Sequence, residues 1–352
     1  MTAIISVLFA LSPAARSGYM ESGNPLAAFQ SLQMDRLVLE APLSRATWRN
    51  ERTRLIREWD RILGLSEVRL PGAAFEVLDV EYTARFTRKR IRYRTEPDTW
   101  VEAYLLVPTD ALPTTHARRR RPGVIVFHST IDYTIRQPAG LEGPADKHIA
   151  ARLAERGFVV LCPRCYIYDY HGTTFTATVE SLRSRHPGLT GMGKMLLDAR
   201  RAMEVLAAMP EVDSKSLGVI GHSLGAKQAL YATAFDERVR AAVFSEGGIG
   251  LKMSNWDASW YLGDQINRAD FHHDHSELLA LCAPRPFLLI GGDSADGVGS
   301  LKFVDASQTV YSLYKASDRI SMVNHHLGHA FPPEAQAEAY GWLERWLKPN
   351  RR

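Results

Sequence analysis

The chain has 352 residues, with 43 basic against 39 acidic side chains for a net charge of +4. Hydrophobic residues make up 45% and charged residues 23%, values that suit a folded globular protein and exclude collagen-like, mainly disordered and multi-span membrane chains. Only three cysteines occur, Cys162, Cys165 and Cys282, so no disulfide scaffold is expected.

In chain order, residues 1–40 carry no strong period. Ala3 to Leu11 is apolar, and Ser12-Pro13-Ala14-Ala15 offers small residues for cleavage. Residues 1–15 thus have the outline of a short signal peptide, which would make the protein secreted or periplasmic. No Lys or Arg precedes the apolar run, and that tips the reading toward a cytoplasmic location. No run reaches the roughly 18 to 20 apolar residues needed to cross a bilayer, so no integral membrane association is expected. Across 41–70, Trp48, Leu55, Ile56, Trp59, Ile62 and Leu63 recur at helical spacing and Gly64 can end the helix.

Residues 71–350 read as one α/β domain. Phe75 to Thr83, Lys89 to Arg94 and Trp100 to Val107 are predicted strands of an antiparallel meander. The run Arg118 to Arg121 reads as a solvated loop. No nucleic-acid motif accompanies it, so no nucleic-acid partner is expected. Strand and helix then alternate. Predicted strands lie at Gly123 to Phe127, Phe158 to Cys162, Leu217 to Ile220, Val239 to Phe244, Phe287 to Ile290 and Ile320 to Val323. Predicted helices lie at Ala145 to Arg156, Lys194 to Met209, Leu224 to Phe235 and Pro333 to Leu347. Such alternation implies a mainly parallel sheet with helices on both faces. Cys162-Pro-Arg-Cys165 has CxxC spacing without a second pair and reads as two small residues at a strand end. Two long segments break the pattern, Tyr166 to Thr190 and an insertion at about 247–282, counted after the sixth strand. Both leave the edge where open α/β sheets bind ligands, and the insertion is expected to form a lid-like wall.

The chemistry-bearing stretch is Gly221-His222-Ser223-Leu224-Gly225, a G-x-S-x-G set between an apolar strand and a helix. A serine on so tight a turn is forced outward, and the glycines remove side chains that would clash. Ser223 is the candidate nucleophile. It needs a base to take its proton and an acid to orient that base, and the chain offers them in that order. Asp296, before Gly297, is the preferred acid, with Asp293 as the alternative and an acid outside this loop as the remaining one. His329 is the base, while His325 and His326 belong to the strand end. The amides of Leu224 and Thr130 are expected to form the oxyanion hole, with Ser129 as the alternative to Thr130 and His128 orienting their loop. Glu246 either binds a polar substrate group or caps the Gly247-Gly248 turn. Trp256 and Trp260 are candidates for a substrate platform, set against simple packing of the insertion. His272, His273 and His275 are neighbours in a loop and are not expected to converge on zinc. No metal or cofactor is expected.

These motifs, together with Ser245-Glu246-Gly247-Gly248-Ile249-Gly250, Ser254-Asn255-Trp256-Asp257 and Ala283-Pro284-Arg285-Pro286-Phe287, resemble the α/β-hydrolase superfamily. The similarity is to dienelactone hydrolase and acetyl xylan esterase-like serine hydrolases, over roughly residues 70–350. Two departures stand out. Ser223 occupies the place where dienelactone hydrolases proper use cysteine, and Ser129-Thr130 follow the loop histidine where many relatives carry glycine. The resemblance implies an α/β-hydrolase fold and a serine esterase acting on a small-molecule or carbohydrate ester. A prolyl-oligopeptidase-like peptidase is the alternative enzyme, although the N-terminal segment is too short for a propeller. A non-catalytic binding protein on the same scaffold is the alternative outside enzymes. Neither the ester nor the oligomeric state is readable.

Overall fold

A computed structural model describes residues 44–65, 72–111, 120–168 and 174–348. The suggested signal segment therefore lies outside the described residues, as do Arg118 and Arg119 of the basic run. The helix α1 (Arg45–Leu63) begins where Ser44 Oγ accepts from the Thr47 amide at 3.0 Å and ends at Gly64 with φ of 72°. Its buried stripe is Trp48, Leu55, Trp59 and Leu63. A meander follows, β1 (Phe75–Tyr82), β2 (Phe86–Glu96) and β3 (Thr99–Pro108), all antiparallel.

The parallel set consists of β4 (Arg121–Phe127), β5 (Val159–Pro163), β6 (Val212–His222), β7 (Val239–Ser245), β8 (Phe287–Gly291) and β9 (Ile320–Asn324). The nine-stranded sheet runs β1-β2-β3-β5-β4-β6-β7-β8-β9, and β3 joins β5 antiparallel. The central strands are short apolar runs because helices cover both faces. One face buries α1, α4 (Gly191–Ala207), α5 (Leu224–Phe235), α6 (His275–Leu281) and α7 (Leu301–Leu313). The other buries α2 (Ile149–Glu155) and α8 (Pro333–Leu347).

The expected strands are all present. The long segment Tyr166 to Thr190 holds an unpredicted helix, α3 (Phe175–Arg185), started by Thr174. Only Val179 and Leu182 are buried on it, so it has too little apolar stripe to register as periodic. The insertion likewise ends in α6, and counting every strand it leaves β7. Arg121 opens β4 and pairs with Asp110. Cys162 and Cys165 are buried at the end of β5 and form no disulfide.

Candidate active site

The turn from β6 into α5 carries Ser223 at φ 59° and ψ −121°. That region is costly for any residue with a side chain, by roughly 1–3 kcal/mol. It is held by packing that only glycine permits on either side. A Cβ on Gly221 would lie 2.0 Å from the Gly225 carbonyl carbon, and one on Gly225 would lie 2.1 Å from the Phe127 carbonyl oxygen. The Ser223 amide donates to the Ser245 carbonyl at 2.8 Å, which pins the turn to β7. Leu224 heads α5, so its amide has no acceptor within the helix.

The loop after β4 comes down beside this turn. Ser129 Oγ donates to the His222 carbonyl at 3.0 Å. His128 Nε2 accepts from the Cys165 amide at 3.0 Å, so Nδ1 carries the proton and donates to the Ser129 carbonyl at 2.7 Å. Burial pushes the His128 pKa down to about 4, which keeps the ring neutral in this loop-orienting place. Thr130 is exposed next to it, and its side chain interacts with the Tyr261 hydroxyl.

His329 arrives on the loop after β9. Its ring lies 4.8 Å from that of His222, the neighbour of Ser223. Its Nδ1 is 3.3 Å from Glu246 Oε2. Glu246 follows β7 directly, at φ 53°, and is 1% exposed. One carboxylate oxygen accepts from the Gly292 amide and the other from the Ala295 amide at 2.8 Å. Burial pushes the Glu246 pKa up, but His329 and the two amides outweigh it and hold the carboxyl below its ordinary range.

The expected acid does not meet this histidine. Asp296 is 1% exposed. Its oxygens accept from the amides of Gly248 at 2.7 Å and Ile249 at 2.8 Å, and from Ser300 Oγ at 2.9 Å. Burial nonetheless raises its pKa. Asp296 thus ties the β8 loop to the β7 loop. Asp293 is turned outward, bound by Asn324 Nδ2 at 2.6 Å and by His326 Nδ1 at 2.5 Å. The carboxylate beside His329 is Glu246, a residue that the sequence reading placed at substrate or in a turn cap. One signal could have found it: an acid sits immediately after the strand next to the one that leads into Ser223.

Residues 101–256 match the family model for the Dienelactone hydrolase family. Among solved structures, a glucuronoyl esterase from Solibacter usitatus superposes with a TM-score of 0.69 at 16% identity, covering 86% of this chain and 93% of that one. The methylesterase BT1017 superposes with a TM-score of 0.65 at 17% identity, covering 91% of this chain and 66% of that one. This is the α/β-hydrolase fold. The hydrolase-fold chain also matches YtaP of Bacillus subtilis (strain 168), which bears a provisional hydrolase name, at 27% identity over 164 residues. That match spans 44% of this chain and about half, 54%, of YtaP.

The insertion on this α/β-hydrolase core departs from expectation at Trp256. That ring is fully buried, donates Nε1–H to the Gly248 carbonyl at 2.7 Å, and lies 4.0 Å under Lys227 Nζ. Substrate cannot reach it. Lys227, on the first turn of α5, needs this cover: it is buried, bonded to Ser254 Oγ at 2.8 Å, and burial pushes its pKa down to about 7. Trp260 is half-buried and packs edge-on against Phe175 at 5.7 Å. Phe175 in turn meets Tyr168, and Tyr168 meets His128. Trp260 therefore belongs to an aromatic row that leads to the Ser129–Thr130 loop.

The insertion's histidines go separate ways. His272 is exposed, His273 pairs with Glu277 at 2.9 Å, and His275 is buried between the Tyr231 hydroxyl and the Ile249 carbonyl. A cation missed by sequence reading stands at the other side of the site. Lys147 Nζ lies 3.0 Å from His222 Nε2, near Glu246, and burial lowers its pKa to about 8. Its sequence neighbourhood reads only as the start of a helix, so nothing marked it.

Proposed function

We propose that this protein is a serine esterase in which Ser223 is the nucleophile, His329 the base and Glu246, not Asp296, the acid that orients the base. The pairing of His329 Nδ1 with Glu246 beside the strained Ser223 turn carries the reading. The carboxylate accepts Nδ1–H, which leaves the Nε2 lone pair to take the Ser223 hydroxyl proton. Ser223 Oγ then bonds to the ester carbonyl carbon, and the carbonyl oxygen becomes an oxyanion facing the amides of Leu224 and Thr130. Collapse expels the alcohol, which takes the proton from His329. Water, deprotonated by His329, attacks the acyl-enzyme, and the acid leaves as the proton returns to Ser223.

The dienelactone hydrolase match, and neighbours named as methyl- and glucuronoyl esterases, support an ester substrate, with a carbohydrate ester as the class. Trp260 contributes to the pocket wall and Trp256 supports it from beneath. Turnover of p-nitrophenyl acetate, together with fluorophosphonate labelling of Ser223 that is lost in Ser223→Ala, tests the proposal. Labelling without turnover of aryl esters or acetylated sugars would leave a reactive serine but no esterase, and the proposal would fail.

A further inference from the structure

The parallel strands begin at the edge opposite Ser223. There a cleft of about 700 Å³ opens between the first turns of α1, the starts of β6 and β7, the turn before β8, and the ends of α7 and α8. Arg45, Arg49, Arg52, Lys215, Arg240 and Arg319 line it. Arg285 is the seventh cation, and Glu237 is the one carboxylate among the lining residues. The cleft therefore concentrates seven positive charges and one negative, a net +6, on a chain whose net charge is +4. Like charges this close raise the local potential and draw in anions.

These cations are largely unspent. Arg52 pairs with Glu237 at 2.9 Å. Arg49, Lys215 and Arg240 are exposed, and no carboxylate pairs with them among the described residues. Arg45 gives its Nε–H to the Leu313 carbonyl at 2.6 Å and lies over the Tyr314 ring at 5.2 Å, and Arg319 lies over the Trp346 ring at 5.3 Å. Arg285 is 9% exposed and gives its donors to the Cys282, Asp236 and Leu281 carbonyls, so its buried charge touches no carboxylate. The Trp346 Nε1–H is a buried donor without an acceptor.

We propose that this cleft binds a multivalent oxyanion, one molecule carrying two or more carboxylate or phosphate groups in series. Guanidinium forks match both groups bidentately, which ammonium groups cannot do. Positions 45, 49 and 52 share one face of α1, spaced about 6 and 4.5 Å along its axis. The donors thus form a ladder and not a single point, which favours serial charges over a lone anion. The volume lies within the range of ligand sites, roughly 300–1,000 Å³.

The test is isothermal titration calorimetry with trigalacturonate and with tripolyphosphate, and with acetate as the monovalent control. At least one multivalent probe is expected to bind with micromolar affinity, weakening about tenfold on going from low to physiological salt because exposed charges are screened. Arg49→Gln combined with Arg240→Gln is expected to lose at least roughly tenfold in affinity, while melting temperature and p-nitrophenyl acetate turnover stay unchanged. Lys215→Gln repeats the test should the double variant melt early. Binding of trigalacturonate alone assigns a carboxylated glycan, binding of tripolyphosphate alone assigns a phosphorylated ligand, and binding of both supports the shared chemistry. The proposal is overturned by absence of binding below millimolar, by equal affinity for acetate, or by affinity undiminished in these variants.

Discussion

Replacing Glu246 by Gln removes the charge that faces His329 when it takes the Ser223 proton, while keeping the side chain's shape. At 3.3 Å from His329 Nδ1, a full charge pair is worth about 5 kcal/mol at an effective dielectric of 20 and about 1.3 kcal/mol in water. The His329 side chain is 46% exposed, so screening places the loss between these values. At 1.36 kcal/mol per decade, kcat should fall by roughly 10 to several thousand fold. A second effect adds to it. Both Glu246 oxygens accept from amides, of Gly292 and Ala295, so a Gln NH₂ must face one N–H donor whichever way it turns. That costs about 1–3 kcal/mol of stability. Asp296→Asn suffers the same donor clash against Gly248 and Ile249 but leaves His329 its partner. The assay is kcat on p-nitrophenyl acetate for both variants, with thermal melts to separate folding from chemistry. Expected is a crippled Glu246→Gln, and an Asp296→Asn that melts early but turns over within about tenfold of wild type at low temperature. If Asp296→Asn loses a thousandfold or more while Glu246→Gln stays within tenfold, the acid assignment is refuted.

Three further outcomes follow from the same contacts. Trp256→Ala should lower stability by about 3–5 kcal/mol, as for other buried aromatics, and leave substrate ranking alone; Trp260→Ala should do the reverse, raising KM and reordering a panel of acetylated sugars and aryl esters. Lys227 is pushed down to about 7 in the fold, against about 10.4 in an unfolded chain. Between those values the unfolded state binds more protons, so this group makes stability rise with pH over that window. Denaturant titrations at pH 7 and 10 should show a smaller rise in Lys227→Met than in wild type. Gly225→Ala would place a methyl group 2.1 Å from the Phe127 carbonyl oxygen, so circular dichroism should report a misfolded or strongly destabilised protein and not merely a slow enzyme.

The sheet, the Ser223 turn and the His329 loop were legible because each depends on local chemistry: apolar runs for strands buried on both faces, glycines where backbones meet, and small residues around a free imidazole. The proposed acid was not legible. Glu246 and Asp296 both leave strand ends on adjacent strands, and residue type cannot say which carboxylate lies beside the His329 ring. That is decided by the Gly248 and Ile249 amides folding back onto Asp296, a contact nearly fifty residues apart. Trp256 was ambiguous for a related reason. Aromatic residues in a loop beside the site suit a platform as well as packing, and the deciding partner is Lys227, a buried cation that the motif Gly-Ala-Lys does not advertise as buried. α3 was missed because its buried stripe is two residues.

The strand β6 carries Lys215 in the basic cleft and ends at His222 beside Ser223. Eight residues of extended chain separate Lys215 from Ser223, a span of about 26 Å. That is about three Debye lengths at physiological ionic strength, where each is about 8 Å. A charge in the cleft therefore acts only weakly on the half-exposed His329. A ligand long enough to wrap around the sheet would link the two ends of the molecule directly. Short esters should thus be hydrolysed at one rate whether the cleft is filled or empty, and dependence of turnover on the cleft would grow with the length of the chain that carries the ester.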